Sequence, residues 1–388
     1  MFNSSCIELS RRSLKKNIRF IRQKMKPGVV LSAVVKSNAY GHGIEAFVPL
    51  AEECGVSHFS VFGASEALRV HSSISRDSEI MIMGYVDEEA MEWCISNSVS
   101  FYVFDMGRLQ TAVKTSKRLG VPARIHMELE TGMNRTGFNG GSLQQAVDLV
   151  LREQEHIIVD GVCTHFAGAE SIANYKRIQD QIAAFESTCN ELKRAGVRIG
   201  KRHCASSAAA FNYPDTQMDM VRIGIALYGF WPNKETEMQH ILNSGHDQKS
   251  RYVDPLKRVL RWNSWVMSVK DVPQGEFVGY GTSYLTTRRQ KIASVPVGYY
   301  HGFRRSLSNL GRVLIHGRRA DVVGTINMNM LLVNVSEIPD VKPGDEVVII
   351  GKQNNAQITV ASFSDLSNLL NYEALVRLPE DIPRLVVD

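Results

Sequence analysis

No GxGxxG opens a helix after a strand anywhere in the chain, so the sequence gives a nicotinamide-binding fold no support. Its six cysteines, Cys6, Cys54, Cys94, Cys163, Cys189 and Cys204, form no CxxC pair and no Cys/His set at metal-ligand spacing. That pattern argues against a disulfide framework or a zinc site and for free thiols in a reducing compartment. No stretch approaches the ~18 continuous apolar residues of a membrane span. The opening "MFNSSCIELS" lacks the apolar core of a signal peptide, so a cytoplasmic location is expected. Blocks of like charge are missing too, although the net charge is +5. The Arg and Lys of "ELSRRSLKKNIRFIRQKMK" fall at helical spacing among apolar residues, which is a solvated helix face and not a nucleic-acid tail. Neither a nucleic-acid nor a membrane partner is expected, and no internal repeat or low-complexity tract stands out.

What is present is a soluble globular composition, 44% hydrophobic and 22% charged over 388 residues, long enough for two or three domains. Through residue 230, short apolar runs such as "HFSVF", "EIMIM" and "VSFYVF" alternate with stretches of helical apolar spacing such as "GRLQTAVKTSKRLG". Such alternation over this length predicts an α/β fold, a TIM-like (β/α)8 barrel. A doubly wound open sheet is the alternative that the same alternation permits. After about residue 250 the runs become short strands split by Gly, Pro and Asn turns, as in "GRVLIHG" and "VKPGDEVVIIG". A barrel over 10–245 and a mostly-β domain over 246–388 are expected, with residues 1–9 a candidate extra strand of the latter. The polar segment 232–252 reads as the linker, and one late helix is expected near 360–371.

Catalytic groups in such a barrel sit where strands end and βα loops begin. "VVLSAVVKSNAYGHG" ends a buried apolar strand on Lys36. Two readings stay open there: a lysine snorkelling from a strand end, or an amine desolvated for Schiff-base chemistry. Other strand ends carry Glu130, Asn134 and Arg135 in "ETGMNRTG", His165 in "THFAGAE", and His203, Ser206 and Ser207 in "HCASSAAA". "MVRIGIALYG" adds Arg222, Gly224 and Ile225. Ser207 and the backbone N–H groups of Gly224 and Ile225 suit a phosphate. The cluster is poor in carboxylates and has no His/Cys/Asp triple, which disfavours a metal.

"AVVKSNAYGHG", "TGMNRTGF", "MVRIGIALYG", "VGYGTSY" and "VPVGYYHGF" together resemble, in order and across nearly the whole chain, the motif series of the alanine racemase family. The resemblance implies pyridoxal 5′-phosphate on a barrel joined to a β domain, a head-to-tail homodimer with shared active sites, and D-alanine for peptidoglycan. Lys36 matches the lysine that holds the cofactor covalently, and Tyr280 matches a second acid–base group supplied by the other subunit. His165 and Arg222 match a hydrogen-bonded relay to that tyrosine, and Arg222 also matches the residue facing the pyridine nitrogen. Tyr40, Ser207, Gly224, Ile225 and Tyr372 match phosphate contacts. Arg135 and the Met328 backbone match the groups that hold the substrate carboxylate.

Three departures bear on specificity. Glu128 stands where many members have a carbamate-bearing lysine, and it is expected to orient Arg135 unmodified. His301 and Asn329 stand where aspartates are usual, near the expected substrate entrance. Asn329 and "FRRSLSN" resemble broad-specificity racemases, which are the alternative to an alanine enzyme, although such enzymes tend to be exported. A non-catalytic carrier of pyridoxal phosphate is the remaining alternative. Tyr280 and Met328 speak against it, because a carrier needs no second base.

Overall fold

The computed structural model describes residues 3–243, 252–364 and 371–388. They fall into two compact units, one of Ser13–Ser37 and Val48–Lys257, the other of Met1–Arg12, Asn38–Phe47 and Arg258–Asp388. The chain enters through β1 (Ser5–Ser10) and the helix Arg11–Lys24, then begins the barrel at β2 (Val30–Val34). The barrel continues through β3 (His58–Val61), β4 (Glu79–Ile82), β5 (Ser100–Val103) and β6 (Ala123–Glu128). It is completed by β7 (Ile157–Cys163), β8 (Lys201–His203) and β9 (Met220–Ile223).

These eight strands run in the order β8-β7-β6-β5-β4-β3-β2-β9, and each neighbouring pair in that order is parallel. The ends meet where the Asp219 N–H donates to Arg202 O at 3.1 Å and the Arg222 N–H to Ala205 O at 2.9 Å. The expected barrel is therefore present. Its strands are apolar and β-branched because both faces are covered, and β3, β5 and β9 are buried at every position.

Local signals set the intervening helices. The Asp105 side chain accepts from the Arg108 N–H at 2.8 Å and caps the helix Met106–Leu119, which Gly120 ends in the left-handed region at φ 68°. In the helix Tyr175–Arg194 the buried residues Ile178, Gln181, Phe185, Cys189 and Leu192 form one stripe, so a single amide is carried into an otherwise apolar contact.

The segment expected as a linker is partly helical. Lys234–Asn243 is a helix, because the Asn233 side chain accepts from the Thr236 N–H at 2.8 Å and from its hydroxyl at 2.9 Å. A single capping side chain inside a polar stretch is easily missed by composition; the rest of that segment, 244–251, lies outside the described residues.

The second unit holds β1 and β10 (Leu260–Trp265), β11 (Ser268–Val272), β12 (Gln290–Val295), β13 (Arg312–Ile315) and β14 (Arg318–Val322). β15 (Leu331–Asn334), β16 (Glu346–Gln353), β17 (Ala356–Ile358) and β18 (Arg384–Val387) complete it. The sheet order is β11-β12-β15-β14-β13-β16-β10-β1-β18, with β17 on β16, and only the β1–β18 pair is parallel. Where one late helix was expected, the described residues carry short helices at Ala361–Ser364 and Asn371–Val376, and 365–370 lie outside them.

In the barrel unit, Asn17 sits fully buried beside Leu14, Ile18 and Ile21 on its helix. It donates to Leu227 O at 2.9 Å and Lys257 O at 2.8 Å, and accepts from the Lys257 N–H at 2.7 Å. Replacing it removes the partner of one buried and two part-buried backbone groups. Asn17→Ala is expected to cost about 3 kcal/mol and to lower Tm in a thermal melt, whereas an unchanged Tm would contradict this account of the helix.

Candidate active site

β2 delivers Lys36. The strand's ladder runs on through Val35, whose N–H donates to Ser60 O at 2.8 Å, and the Tyr228 hydroxyl donates to Val34 O at 2.9 Å. Directly after the lysine the backbone changes hand: Ser37, Asn38, Ala39 and Tyr40 all have φ between +52° and +54°. The segment Lys36–Tyr40 is thus one left-handed helical turn built without glycine. Each such residue costs about 1–2 kcal/mol, so its surroundings must over-determine it. They do. The Ser37 N–H donates to Glu66 Oε1 at 2.5 Å, and the Asn38 side chain accepts from the Ile44 N–H at 3.1 Å. At Gly41, φ 79°, a Cβ would fall 2.0 Å from Leu375 O, so only glycine closes the turn.

Lys36 is half-buried, and its pKa lies below the ordinary lysine value. Burial is the main cause; the Arg135 and Arg222 charges add to it, and Glu66 opposes them. The resting amine is therefore more nucleophilic than a surface lysine's.

The loop after β6 folds around two carboxylates. Glu130 accepts from the Gly132 N–H and, at 3.3 Å, from the Arg135 N–H. Burial alone would raise its pKa, but the amides of Asn134, Gly132, Arg135 and Met133 outweigh that and lower it. Glu128 accepts from the Thr136 hydroxyl at 2.8 Å and pairs with Arg135 Nη2 at 3.8 Å. Glu128, Arg135, Thr136, Thr164 and His165 line one small pocket.

His165 stands on the loop after β7. Gln181, the amide in the apolar stripe, donates to His165 O at 3.1 Å and accepts from the Ala167 N–H at 2.9 Å, which fixes that loop. Burial, then the charges of Arg222, Arg135 and Lys36, push the His165 imidazole down to about 3, so it stays neutral.

Arg222, on β9, is only 5% exposed. Its Nη1 donates to His203 Nδ1 at 2.6 Å and His203 O at 2.9 Å; its Nη2 donates to Thr164 O at 2.9 Å and Cys204 O at 3.3 Å. Four of the five guanidinium hydrogens are thereby committed, and Nε–H has no hydrogen-bond partner among the described residues. The expected hydrogen bond from Arg222 to His165 is not formed there. The Nη hydrogens are spent on His203 and on carbonyls, and His165 meets the guanidinium through its charge alone. Behind His203 lies His126, Nε2 to Nδ1 at 2.8 Å, a residue that sequence reasoning missed. Its only signal was a histidine in mid-strand, which looks the same as a structural one.

The Ser207 hydroxyl accepts from the Gly224 N–H at 3.1 Å, bringing these two together with Ile225 at the end of β9. In the second unit, the Tyr40 and Tyr372 rings lie 6.2 Å apart, and burial raises the Tyr40 phenol to about 12. Tyr280, 72% exposed, and Met328 line an open cavity of about 540 Å³ with Tyr299, Arg305, Asn327 and Asn329. His301 is not among the residues lining it. Its ring is buried, accepting from the Gly298 N–H at 3.2 Å and bonding Ser4 Oγ at 3.2 Å, so it caps its own turn. Among the described residues, no group of three or more His, Cys, Asp or Glu is arranged to hold a metal ion, and no helix is long and apolar enough to cross a membrane.

The chain matches the family models described as alanine racemase, N-terminal domain, over residues 9–232 and alanine racemase, C-terminal domain, over 259–386. It is 36% identical to an alanine racemase of Leptospira interrogans, over 99% of this chain and 96% of the relative. It is 33% identical to one of Methanococcus maripaludis, over 97% of each. Among solved structures, an alanine racemase of Clostridium difficile superposes with a TM-score of 0.88 at 29% identity, covering 100% of this chain and 96% of that one. One from Bartonella henselae, with covalently bound pyridoxal phosphate, shares the fold at a TM-score of 0.80 and 24% identity over 100% of both chains.

Only the neutral amine attacks a carbonyl, so a lowered pKa moves the onset of Lys36 reactivity to lower pH. Its rate of aldehyde capture, followed against pH in the cofactor-free protein, is expected to level off below the ordinary lysine value of 10.5. A midpoint at or above that value would contradict the electrostatics described.

Proposed function

Because the chain belongs to the alanine racemase family in both of that family's domains and is a racemase, an isomerase, we propose that it interconverts L- and D-alanine by two bases, with pyridoxal 5′-phosphate held on Lys36. The observation that carries this reading is the pairing of a depressed lysine amine with a buried guanidinium that keeps one hydrogen uncommitted.

The residues present fit that cofactor. Lys36 suits its aldehyde, and Arg222 Nε–H suits its ring nitrogen. The Ser207 hydroxyl and the Ile225 N–H suit its phosphate, with the Gly224 N–H joining them on release from Ser207 and the hydroxyls of Tyr40 and Tyr372 as further donors. When bound, the cofactor supplies an electron sink for the pair left at Cα after deprotonation.

The chain's own groups do the rest. Arg135 binds the substrate carboxylate, with Glu128 orienting its guanidinium and the Met328 N–H as a second donor. Lys36 removes or returns the Cα proton on one face. Tyr280 of the partner subunit acts on the other, in a head-to-tail homodimer; its high exposure within one chain supports a role outside it. A free tyrosine has a pKa of about 10, too high for a base near neutrality. To act there it needs a hydrogen-bond acceptor for its proton, and the neutral His165 is the group the family resemblance sets beside it. Arg222 cannot give up its proton, so a ring nitrogen held against its Nε–H would stay unprotonated.

The free thiols of all six cysteines suit a reducing cytoplasm, where D-alanine would feed peptidoglycan synthesis. One observation favours a wider acceptor range: the cavity around Tyr280 and Met328 is lined by Asn329 and Arg305 and by no carboxylate.

Two variants test the assignment. Lys36→Ala is expected to lose both racemisation and the visible absorbance of the lysine-bound cofactor. Tyr280→Phe is expected to lose racemisation while one alanine enantiomer, and only one, still exchanges its α-proton with D2O. Exchange from both enantiomers, or from neither with the cofactor retained, would refute the two-base reading.

A further inference from the structure

His203 lies between two fixed partners. Arg222 Nη1 approaches its Nδ1 at 2.6 Å, and His126 Nδ1 approaches its Nε2 at 2.8 Å. A guanidinium only donates, so His203 Nδ1 must be bare. The neutral ring then carries its hydrogen on Nε2, which donates to His126 Nδ1, and that nitrogen must be bare in turn. Burial and the Arg222 charge, which hold the pKa of His203 well below the usual histidine value, agree with a neutral ring. The direction of every hydrogen in the chain is thus set at its arginine end.

The backbone is shaped to bring His126 there. Along β6 and β7, Ile125 pairs with Val159 but His126 pairs with Gly161, so the ladder skips Asp160 in a bulge. Bulges re-aim side chains and collect beside active sites. At Gly161 a Cβ would stand 2.4 Å from His126 Nδ1, so this glycine leaves the ring nitrogen its room. His126 and His203 are 1% and 0% exposed, so bulk solvent does not reach either contact.

We propose that His126 is a positioning residue for the racemase: by accepting from His203 Nε2–H it fixes that histidine's tautomer and orientation, and so the aim of Arg222 Nε–H. The functional consequence rests on the reading in which Arg222 faces the cofactor's ring nitrogen. The hydrogen-bond chain itself does not.

Neutron diffraction from crystals of the holoenzyme grown in D2O tests the chain directly. Deuterium is expected on His203 Nε2 and absent from both His203 Nδ1 and His126 Nδ1. Deuterium on His126 Nδ1 would overturn the proposal, whatever any variant does. His126→Gln and His126→Leu then test the consequence. Glutamine offers an acceptor oxygen to His203 Nε2–H, so it should keep the visible absorption maximum of the bound cofactor. Leucine leaves that donor unmet, so it should shift the maximum and lower kcat about tenfold at unchanged cofactor content. A leucine variant with the parent's maximum and kcat would overturn the positioning role. A parent protein with no visible band would instead sink the cofactor reading, while the neutron map would still decide the tautomer.

Discussion

A guanidinium buried to the extent of Arg222 leaves a large deficit unless its hydrogens are met, and the barrel's closing strands are arranged to meet them. The carbonyl of His203 at the end of β8, those of Cys204 and Thr164 just after β8 and β7, and an imidazole take four. The result is a fixed positive charge at the end of β9 that cannot titrate. Its field reaches both Lys36 and His165. It helps to depress Lys36, and it is the largest charge effect on His165. Arg135 adds to both. In the chemistry proposed here, burial first and this permanent cation with it favour the neutral amine and the neutral imidazole, and the same cation, keeping its proton, would leave a facing ring nitrogen without one.

Backbone strain supplies the second constraint. Four consecutive left-handed residues after Lys36 are tolerable only because neighbouring groups hold them. Glu66 secures the turn at Ser37, Asn38 secures it from within, and Gly41 lets the chain close against Leu375. A lysine that ends a buried strand and at once enters such a turn has little freedom to wander. That suits an amine which must meet a carbon acid at one face.

Much of this was legible in the sequence, for identifiable reasons. The strand before Lys36 could be read because an apolar β-branched run has few other homes, and the barrel because strand and helix patterns alternate. Arg222, Arg135, His165 and Ser207 fell at strand ends, where a barrel's chemistry gathers. The left-handed turn was not legible, since of Ser37, Asn38, Ala39 and Tyr40 only asparagine hints at a positive φ. The helix Lys234–Asn243 was hidden behind a single cap, Asn233. The turn that His301 caps was not legible either, because a histidine accepting from a backbone N–H three residues back carries no distinct local signal. His126 meets His203 across 77 residues, through a bulge that no local pattern announces. Sequence pattern locates elements and their ends. It does not report which nitrogen of a buried ring faces which donor.

The central claim is that Arg222, by keeping its own protons, leaves the cofactor's ring nitrogen without one. Reconstituting the enzyme with pyridoxal 5′-phosphate carrying ¹⁵N in the ring, and recording its nitrogen NMR shift, tests this most directly. The account predicts the shift of an unprotonated pyridine, unchanged as pH is varied across neutrality. A pyridinium shift, or one that titrates toward it, would contradict it.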